Sequence, residues 1–127
     1  MIDALFNNIN YVATKRMMDA TELRQQAIAS NLANVDTPNY KRIDLDASFG
    51  NELSRALGSD NVGQVNSLQP KLSLDPSAVT QSRDGNTVNL ETELVSLQQN
   101  TLSNAVETQV INYNLTHLQM AITGKTS

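Results

Sequence analysis

Residues 89–124 read NLETELVSLQQNTLSNAVETQVINYNLTHLQMAITG and form the most regular segment of the chain. A heptad seam runs along this segment, because positions alternately four and three residues apart are largely apolar. The seam comprises Leu90, Leu94, Leu97, Thr101, Asn104, Thr108, Ile111, Leu115, Leu118 and Ile122. Such spacing over more than four heptads is typical of a coiled-coil helix, and glycine commonly ends a helix, as Gly124 would here. The segment therefore predicts a long C-terminal helix.

A second stripe of apolar residues follows the same segment. It comprises Val95, Leu102, Val106, Val110 and Tyr113. At about 100° of rotation per residue, this second stripe lies roughly opposite the heptad seam, so one partner helix cannot cover both. The segment is also poor in charge, its only ionised residues being Glu91, Glu93 and Glu107, whereas solvated surfaces carry roughly 25–35% charged residues. We therefore predict that other protein surrounds this helix, with the apolar members of both lines as assembly contacts.

Residues 2–33 show helical periodicity as well, with apolar residues three and four positions apart. The apolar face comprises Ile2, Leu5, Phe6, Ile9, Ala13, Met17, Ala20, Leu23 and Ala27. A helix over this range would match the C-terminal one, at roughly 50 Å for a rise of about 1.5 Å per residue. We predict a mainly α fold in which the two long helices pair as an antiparallel coiled-coil hairpin. Ile2, Phe6 and Ile9 are further candidate assembly contacts.

Between the two helices, residues 44–83 are rich in Gly, Pro, Ser and Asn, which favour loops. Phe49, Leu53 and Ala56 keep helical spacing. Gly50 lies inside that run and weakens a helix. We therefore expect a short, weak helix in a loop-rich middle segment.

Alternation over residues 71–74, Lys-Leu-Ser-Leu, predicts a short strand. The Asp-Gly-Asn sequence at residues 84–86 predicts a tight turn and, with the strand, a small β hairpin. We therefore divide the chain into residues 1–43, 44–83 and 84–127, of which the first and last form one helical domain.

Composition excludes several classes of function. Nine Lys and Arg against thirteen Asp and Glu give a net charge of −4, without the basic patch that nucleic-acid binding needs. The absence of cysteine excludes disulfides and thiolate metal sites. The chain has no run of about eighteen apolar residues, and its first residues lack a basic leader. We expect a soluble chain that the general secretory route does not export.

The residues that carry chemistry in enzymes are scattered. His117 is the only histidine and has no carboxylate three or four positions away. We interpret Asp44 and Asp46, beside Arg42, as solvated charges on a polar loop. We assign no catalytic, cofactor-binding or metal-binding residue, and expect neither enzymatic activity nor a small-molecule substrate.

Residues 29–41, ASNLANVDTPNYK, form the most specific local string. Asn31 and Asn34 can bond nearby backbone at a helix end, and Pro38 favours an extended conformation for the residue before it. The string therefore predicts the exit of the chain from its N-terminal helix.

The same string resembles the signature Asn-x-Ala-Asn-x-x-Thr-Pro-x-Tyr of bacterial flagellar basal-body rod and hook proteins. Its positions in this sequence are Asn31, Asn34, Thr37, Pro38 and Tyr40. Residues 84–91, DGNTVNLE, with the Gln- and Asn-rich helix that follows, are similar to the C-terminal region of the proximal-rod members, the FlgB type. The resemblance covers residues 2–43 and 84–123. Asn39 stands where the family often has glycine, which implies a positive φ at this position.

The resemblance implies a structural subunit of the flagellar proximal rod, the periplasmic drive shaft that transmits torque and surrounds the export channel near the MS ring. It implies self-association in a helical assembly, and contacts with FlgC-type and FlgF-type rod subunits, a FliE-type adaptor and the MS ring. It further implies export through the flagellar type III system without a cleaved signal peptide. The family brings no activity and no cofactor.

Phe49 and Leu53 fit the Phe-x-x-x-hydrophobic pattern by which early flagellar export substrates resemble one another, which implies recognition at the export gate. Two alternatives to the FlgB type stay open at this point. One is another short rod subunit, of the FlgC type. The other is a cytosolic helical-hairpin adaptor or export chaperone, which the heptads alone allow and which should fold as a stable hairpin or dimer.

Overall fold

The computed structural model describes residues 8–80 and 82–124 of the chain. Its elements in order are α1 (Ile9–Ala33), β1 (Ile43–Leu45), α2 (Ser48–Gly58), α3 (Val62–Ser67), β2 (Leu72–Leu74) and α4 (Leu90–Thr123). The fold is mainly helical, and α1 and α4 pack antiparallel as the predicted hairpin. Asn31 near the end of α1 contacts Glu93 near the start of α4, whereas Thr21 contacts Glu107 further along.

Helix α1 begins at Ile9, because the side chain of Asn8 accepts a hydrogen bond of 2.9 Å from the backbone N–H of Asn10. Asn8 itself has extended backbone, with φ −64° and ψ 125°. The prediction of one continuous helix from residue 2 is therefore wrong at this end, and α1 has 25 residues against 34 in α4. The predicted contacts Ile2 and Phe6 lie outside the described residues.

Both ends of α4 are capped by the residues that flank it. The Asn89 side chain accepts a hydrogen bond of 3.0 Å from the backbone N–H of Thr92. Gly124 has left-handed backbone, with φ 64°, and its N–H bonds the carbonyl of Met120, which confirms the predicted end. Within residues 8–80 and 82–124, every helix is too short or too polar to cross a bilayer.

The hydrophobic core lies on the side of α1 that faces away from α4. It comprises Val12, Ala13, Ala20, Phe49, Leu53, Ala56 and Val65, from α1, α2 and α3. Burying an aromatic or aliphatic side chain of this size stabilises a fold by about 1.5–3 kcal/mol. This burial explains why α2 reaches 11 residues although Gly50 lies inside it.

Strand β2 confirms the predicted strand, but its partner differs from the expected hairpin. It pairs antiparallel with β1, placing Ile43 opposite Leu74 and Leu45 opposite Leu72. The turn at residues 84–86 does form, with the Asn86 N–H donating to the Asp84 carboxylate at 3.1 Å. It packs against the exit of α1 instead of closing a β hairpin.

Candidate functional site

The exit of α1 is a turn built by its asparagines. The Asn34 amide donates to the carbonyl of Ser30 at 2.8 Å, and its oxygen accepts from the Thr37 hydroxyl at 3.1 Å. Asn39 adopts a φ of 61°, as its place in the signature implied. Its N–H bonds the carbonyl of Asp84 at 2.9 Å, so the turn before α4 lies directly on this exit.

Asn31 joins three elements at this exit and is fully buried. Its amide donates to the carbonyl of Ile43 at 2.8 Å and to the Glu93 carboxylate at 3.3 Å. Its oxygen accepts from the N–H of Ile43 at 3.0 Å and from the hydroxyl of Tyr40 at 3.4 Å. One side chain of the signature therefore fixes α1, β1 and α4 relative to one another.

Asn86 holds the exit turn from the other side. Its amide nitrogen lies 2.8, 3.1 and 2.8 Å from the carbonyls of Asn34, Val35 and Thr37. Its oxygen accepts from the N–H of Val88 at 2.7 Å. A side chain that bonds three carbonyls in this way satisfies backbone groups that the end of a helix leaves open.

Arg42 lies at the centre of a buried ion network. Its Nε donates to the Glu93 carboxylate, and its Nη1 donates to Asp75 at 2.7 Å and to Asp44 at 3.1 Å. Arg42 is 6% exposed and Glu93 is 0% exposed. The interpretation of Asp44 as a solvated charge is therefore wrong, since it also accepts from Arg24 at 3.0 Å.

Asp46 lies outside this network. Its carboxylate accepts from the N–H of Ser48 at 2.9 Å, at the first residue of α2. Hydrogen bonds from the Ser48 hydroxyl and N–H lower the pKa of Asp46. The two aspartates thus have different roles, Asp44 within β1 in the ion network and Asp46 after β1 at a helix start.

The pKa shifts of Arg42 and Asp75 both favour the charged forms of these two side chains. Burial lowers the pKa of Arg42, but hydrogen bonds to Glu93 and Asp44 and their charges outweigh it, and the net pKa lies above its usual value. Burial raises the pKa of Asp75, yet bonds from Ser77 and Arg42 bring it below its ordinary value. These carboxylates are occupied by guanidinium and backbone donors, and the described residues contain no group of three or more metal-ligating side chains.

The contact between α1 and α4 follows a polar line, which we define as Glu93, Asn100 and Glu107. Asn100 donates to the carbonyl of Thr21 at 3.0 Å and to the Gln25 side chain at 2.9 Å. The Thr21 hydroxyl donates to Glu107 at 2.9 Å. All three members of the polar line are buried.

The heptad seam lies beside this line and is only partly covered. Leu118 is buried, and Leu97 and Ile111 are half-buried. Four apolar members have exposed fractions between 41% and 60%, namely Leu90, Leu94, Leu115 and Ile122. The expectation that the two helices pair along the seam leucines is therefore met only in part, because buried polar residues about one position away share that contact. Their role as assembly contacts stays a prediction.

The second stripe is exposed along its whole length, from Val95 to Tyr113. Leu102 at its middle has 67% of its surface exposed. Because Glu93 and Glu107 are buried, Glu91 is the only ionised residue on the outer surface of α4 as described. Helix α4 thus presents two apolar faces with almost no charge between them.

Phe49 and Leu53, the residues of the export pattern, are both buried in the core. Ile9 is partly buried and packs against the same core. The folded chain therefore hides the export pattern from any partner.

The sequence reasoning missed Arg42, Asn86 and Glu93, which connect the exit turn to α4. Two features of the sequence could have pointed to Glu93. Glu93, Asn100 and Glu107 are spaced seven residues apart, which marks a second, polar heptad line. The charge-poor context of Glu93 and Glu107 also marks these two carboxylates as unusual.

Known proteins are similar to this sequence. A family model described as flagella basal body rod protein matches residues 11–41, which contain most of α1 and its exit turn. The flagellar basal body rod protein FlgB of Cereibacter sphaeroides is 35% identical over 114 residues, covering 82% of this chain and 86% of that protein. FlgB of Borreliella burgdorferi is 30% identical over 113 residues, covering 75% and 82%. FlgB of Borrelia hermsii is 28% identical over 125 residues, covering 84% and 90%.

An alignment over 82% of the chain, as in the first case, includes the segment that joins the two long helices and at least part of each helix. They support the interpretation of the sequence as a rod subunit of the FlgB type, and place it in the flagellar basal body. The chain belongs to the FlgB family of flagellar basal body rod proteins.

Proposed function

We propose that this rod subunit builds the proximal rod by packing the two apolar faces of α4 against neighbouring subunits. The observation that supports this is the exposure of both faces in the single chain. A monomeric protein rarely exposes apolar patches above a few hundred Å², and larger ones mark interaction sites. Partners with apolar helices of their own, such as further rod subunits of the FlgB, FlgC and FlgF types or a FliE-type adaptor, suit such faces.

In this proposal the assembled subunits surround the export channel near the MS ring and transmit torque. The buried network around Arg42 supports the mechanical part, because it fixes the end of α1 to the start of α4 by charged hydrogen bonds. Interfaces made of long parallel or antiparallel helices then carry torsion from one subunit to the next. The function is structural and needs no cofactor.

The test of assembly is Leu102→Asp, which places a charge in the middle of the second stripe. Because Leu102 is exposed in the isolated chain, we expect the purified variant to keep wild-type helicity and melting temperature. In cells that lack the native subunit, we expect the variant to give no rods in isolated basal bodies and no swimming. Leu102→Met, which keeps the apolar surface, is the matched control and should restore both. Normal rods with Leu102→Asp would reject the proposal.

For export we propose that the flagellar type III gate recognises Phe49 and Leu53 in the unfolded chain, before entry into the periplasm. Phe49→Ala is expected to reduce secretion at equal cellular protein level. Val65→Ala is the control, since Val65 is fully buried in the same core but lies outside the pattern. Equal secretion of the two variants would contradict gate recognition through Phe49.

A further inference from the structure

We infer that the polar line of α4 specifies the register of the α1–α4 hairpin, and thereby leaves Leu90, Leu94 and Leu115 of the heptad seam partly uncovered. The inference concerns two helices of one chain and holds whether or not the proposed assembly is correct. It rests on the juxtaposition of the buried polar line of α4 with the α1 side chains and backbone that bond it.

The polar line is Glu93, Asn100 and Glu107 on α4. Its partners on α1 are Asn31, Gln25 and Thr21. The contacts between the helices run in one consistent antiparallel order. Asn31 meets Glu93, Gln25 meets Asn100, and Thr21 meets Glu107. Each hydrogen bond is made in this register and would be lost after a shift of one heptad.

A pairing through the leucines would bury more apolar surface. Leu90, Leu94 and Leu115 each leave 41% or more of their surface exposed in the observed arrangement. Burying such side chains more fully is favourable, because it removes apolar surface from water. The chain instead buries two carboxylates and an amide, and the Oε2 atom of Glu107 finds no hydrogen-bond partner among the described residues.

Polar residues in a helix contact lower stability but select one register, because every other register leaves them buried without partners. This selection is the physical benefit that compensates for the less favourable burial. A leucine line by contrast accepts a slip of seven residues, since one leucine replaces another. The polar line therefore makes the register of the hairpin unique and leaves the exposed apolar members of the seam for a different helix.

The experiment measures the register directly in the full chain. Because the sequence has no cysteine, spin labels can be attached only at introduced sites. Ala29→Cys and Gln119→Cys place labels at exposed positions on α1 and α4. A slip of one heptad changes their separation by about 10 Å, at about 1.5 Å per residue. Pulsed electron paramagnetic resonance resolves such a change.

In the labelled parent we expect one narrow distance distribution. In Asn100→Leu/Glu107→Leu we expect a broadened distribution or a second population displaced by about one heptad. Gln98→Leu/Gln109→Leu adds two leucines at exposed positions of α4 outside the polar line, and should keep the parent distribution. A single parent-like distance in the Asn100→Leu/Glu107→Leu variant would overturn the inference.

Should the double variant lack helical structure, Asn100→Leu alone provides the same comparison, because it removes both bonds to α1 at the centre of the line. We expect it to broaden the distribution in the same sense. A parent-like distribution in a helical Asn100→Leu protein would reject the polar line as the determinant of register.

Discussion

The amide nitrogen of Asn86 lies 2.8 Å from the carbonyl oxygen of Asn34, although 52 residues separate the two in the chain. This bond ties the turn that precedes α4 to the residue that ends α1. The middle segment, with β1, α2, α3 and β2, therefore lies between two residues that are hydrogen-bonded to each other. The hairpin of long helices is held at its closed end by side chains and does not depend on a short connecting loop.

Asn86→Ala should lower the free energy of unfolding by about 1–3 kcal/mol, because it removes a buried donor shared by three carbonyls. Urea unfolding followed by circular dichroism measures the effect. Asn66→Ala, at an exposed position of α3, is the control and should change stability by no more than about 0.5 kcal/mol. Equal effects of the two substitutions would show that the Asn86 bonds contribute nothing.

Gly85→Ala should destabilise the chain, since Gly85 has a φ of +80° and an added Cβ would lie 2.6 Å from the Asn39 side-chain oxygen. We expect a loss of about 1–3 kcal/mol from the conformation and the crowding together. Gly50→Ala should have the opposite effect on stability. It lies inside α2 with open space around it, and should stabilise by about 0.5–1 kcal/mol. The comparison fails if both substitutions shift the melting temperature in the same direction.

Arg42→Met should cost about 3–5 kcal/mol, because it leaves the buried Glu93 carboxylate without its cation. Chemical unfolding at neutral pH gives the value. Arg42→Met/Glu93→Leu removes both charges and should recover part of the loss. The pair of Arg16 and Asp19, with side chains 21% and 48% exposed, is the reference, and Asp19→Ala should cost less than about 1 kcal/mol. A loss below about 1 kcal/mol for Arg42→Met would contradict a stabilising role of the network.

Glu107 should make the stability of the hairpin depend on pH. Burial raises the pKa of Glu107 and the Thr21 hydroxyl offsets only part of the shift. The folded chain thus binds this proton more tightly than the unfolded chain, so the contribution to stability is complete below the ordinary value of 4.5 and is lost as pH rises through the folded value.

The measurement for Glu107 compares unfolding free energies of the parent and of Glu107→Gln from acidic to neutral pH. The free energy of unfolding of the parent, relative to that of the variant, should be highest at acidic pH. This difference should decline towards neutral pH. Asp75 provides the opposite trend, because its lowered pKa gives stability that is lost as pH falls through the folded value. A parent-to-variant difference that stays constant with pH would exclude the titration of Glu107.

The parts of the fold that depend on neighbours in sequence were predictable. The period of α4, its end at Gly124 and the exit turn with Asn34 all follow from residues within one or two turns of one another. The start of α1 was predicted too early, because the apolar period of the sequence extends to the N-terminal side of Asn8. The capping side chain of Asn8 outweighs that period. The pairing of β2 with β1 requires a contact across 29 residues, about which local periodicity carries no information.

The candidate site likewise has one part that local sequence predicts and one part that it does not. The asparagines of the exit turn could be named from a local string, whereas Arg42 and Glu93 are 51 residues apart and become partners only after the chain folds. The polar line was overlooked because leucine at heptad spacing is the stronger sequence signal. Hydrogen bonds to Thr21 and Gln25 decide the contact, and the value of these bonds depends on the register of both helices.

The two apolar faces of α4 also differ from each other, the seam carrying leucines and isoleucines and the second stripe carrying mostly valines. When unlike faces of identical copies meet without closing a ring, each added copy leaves one face of each kind uncovered at the two ends, so the growing object has a direction and no intrinsic final size. The number of copies would then be set from outside, by the proteins that occupy the terminal faces.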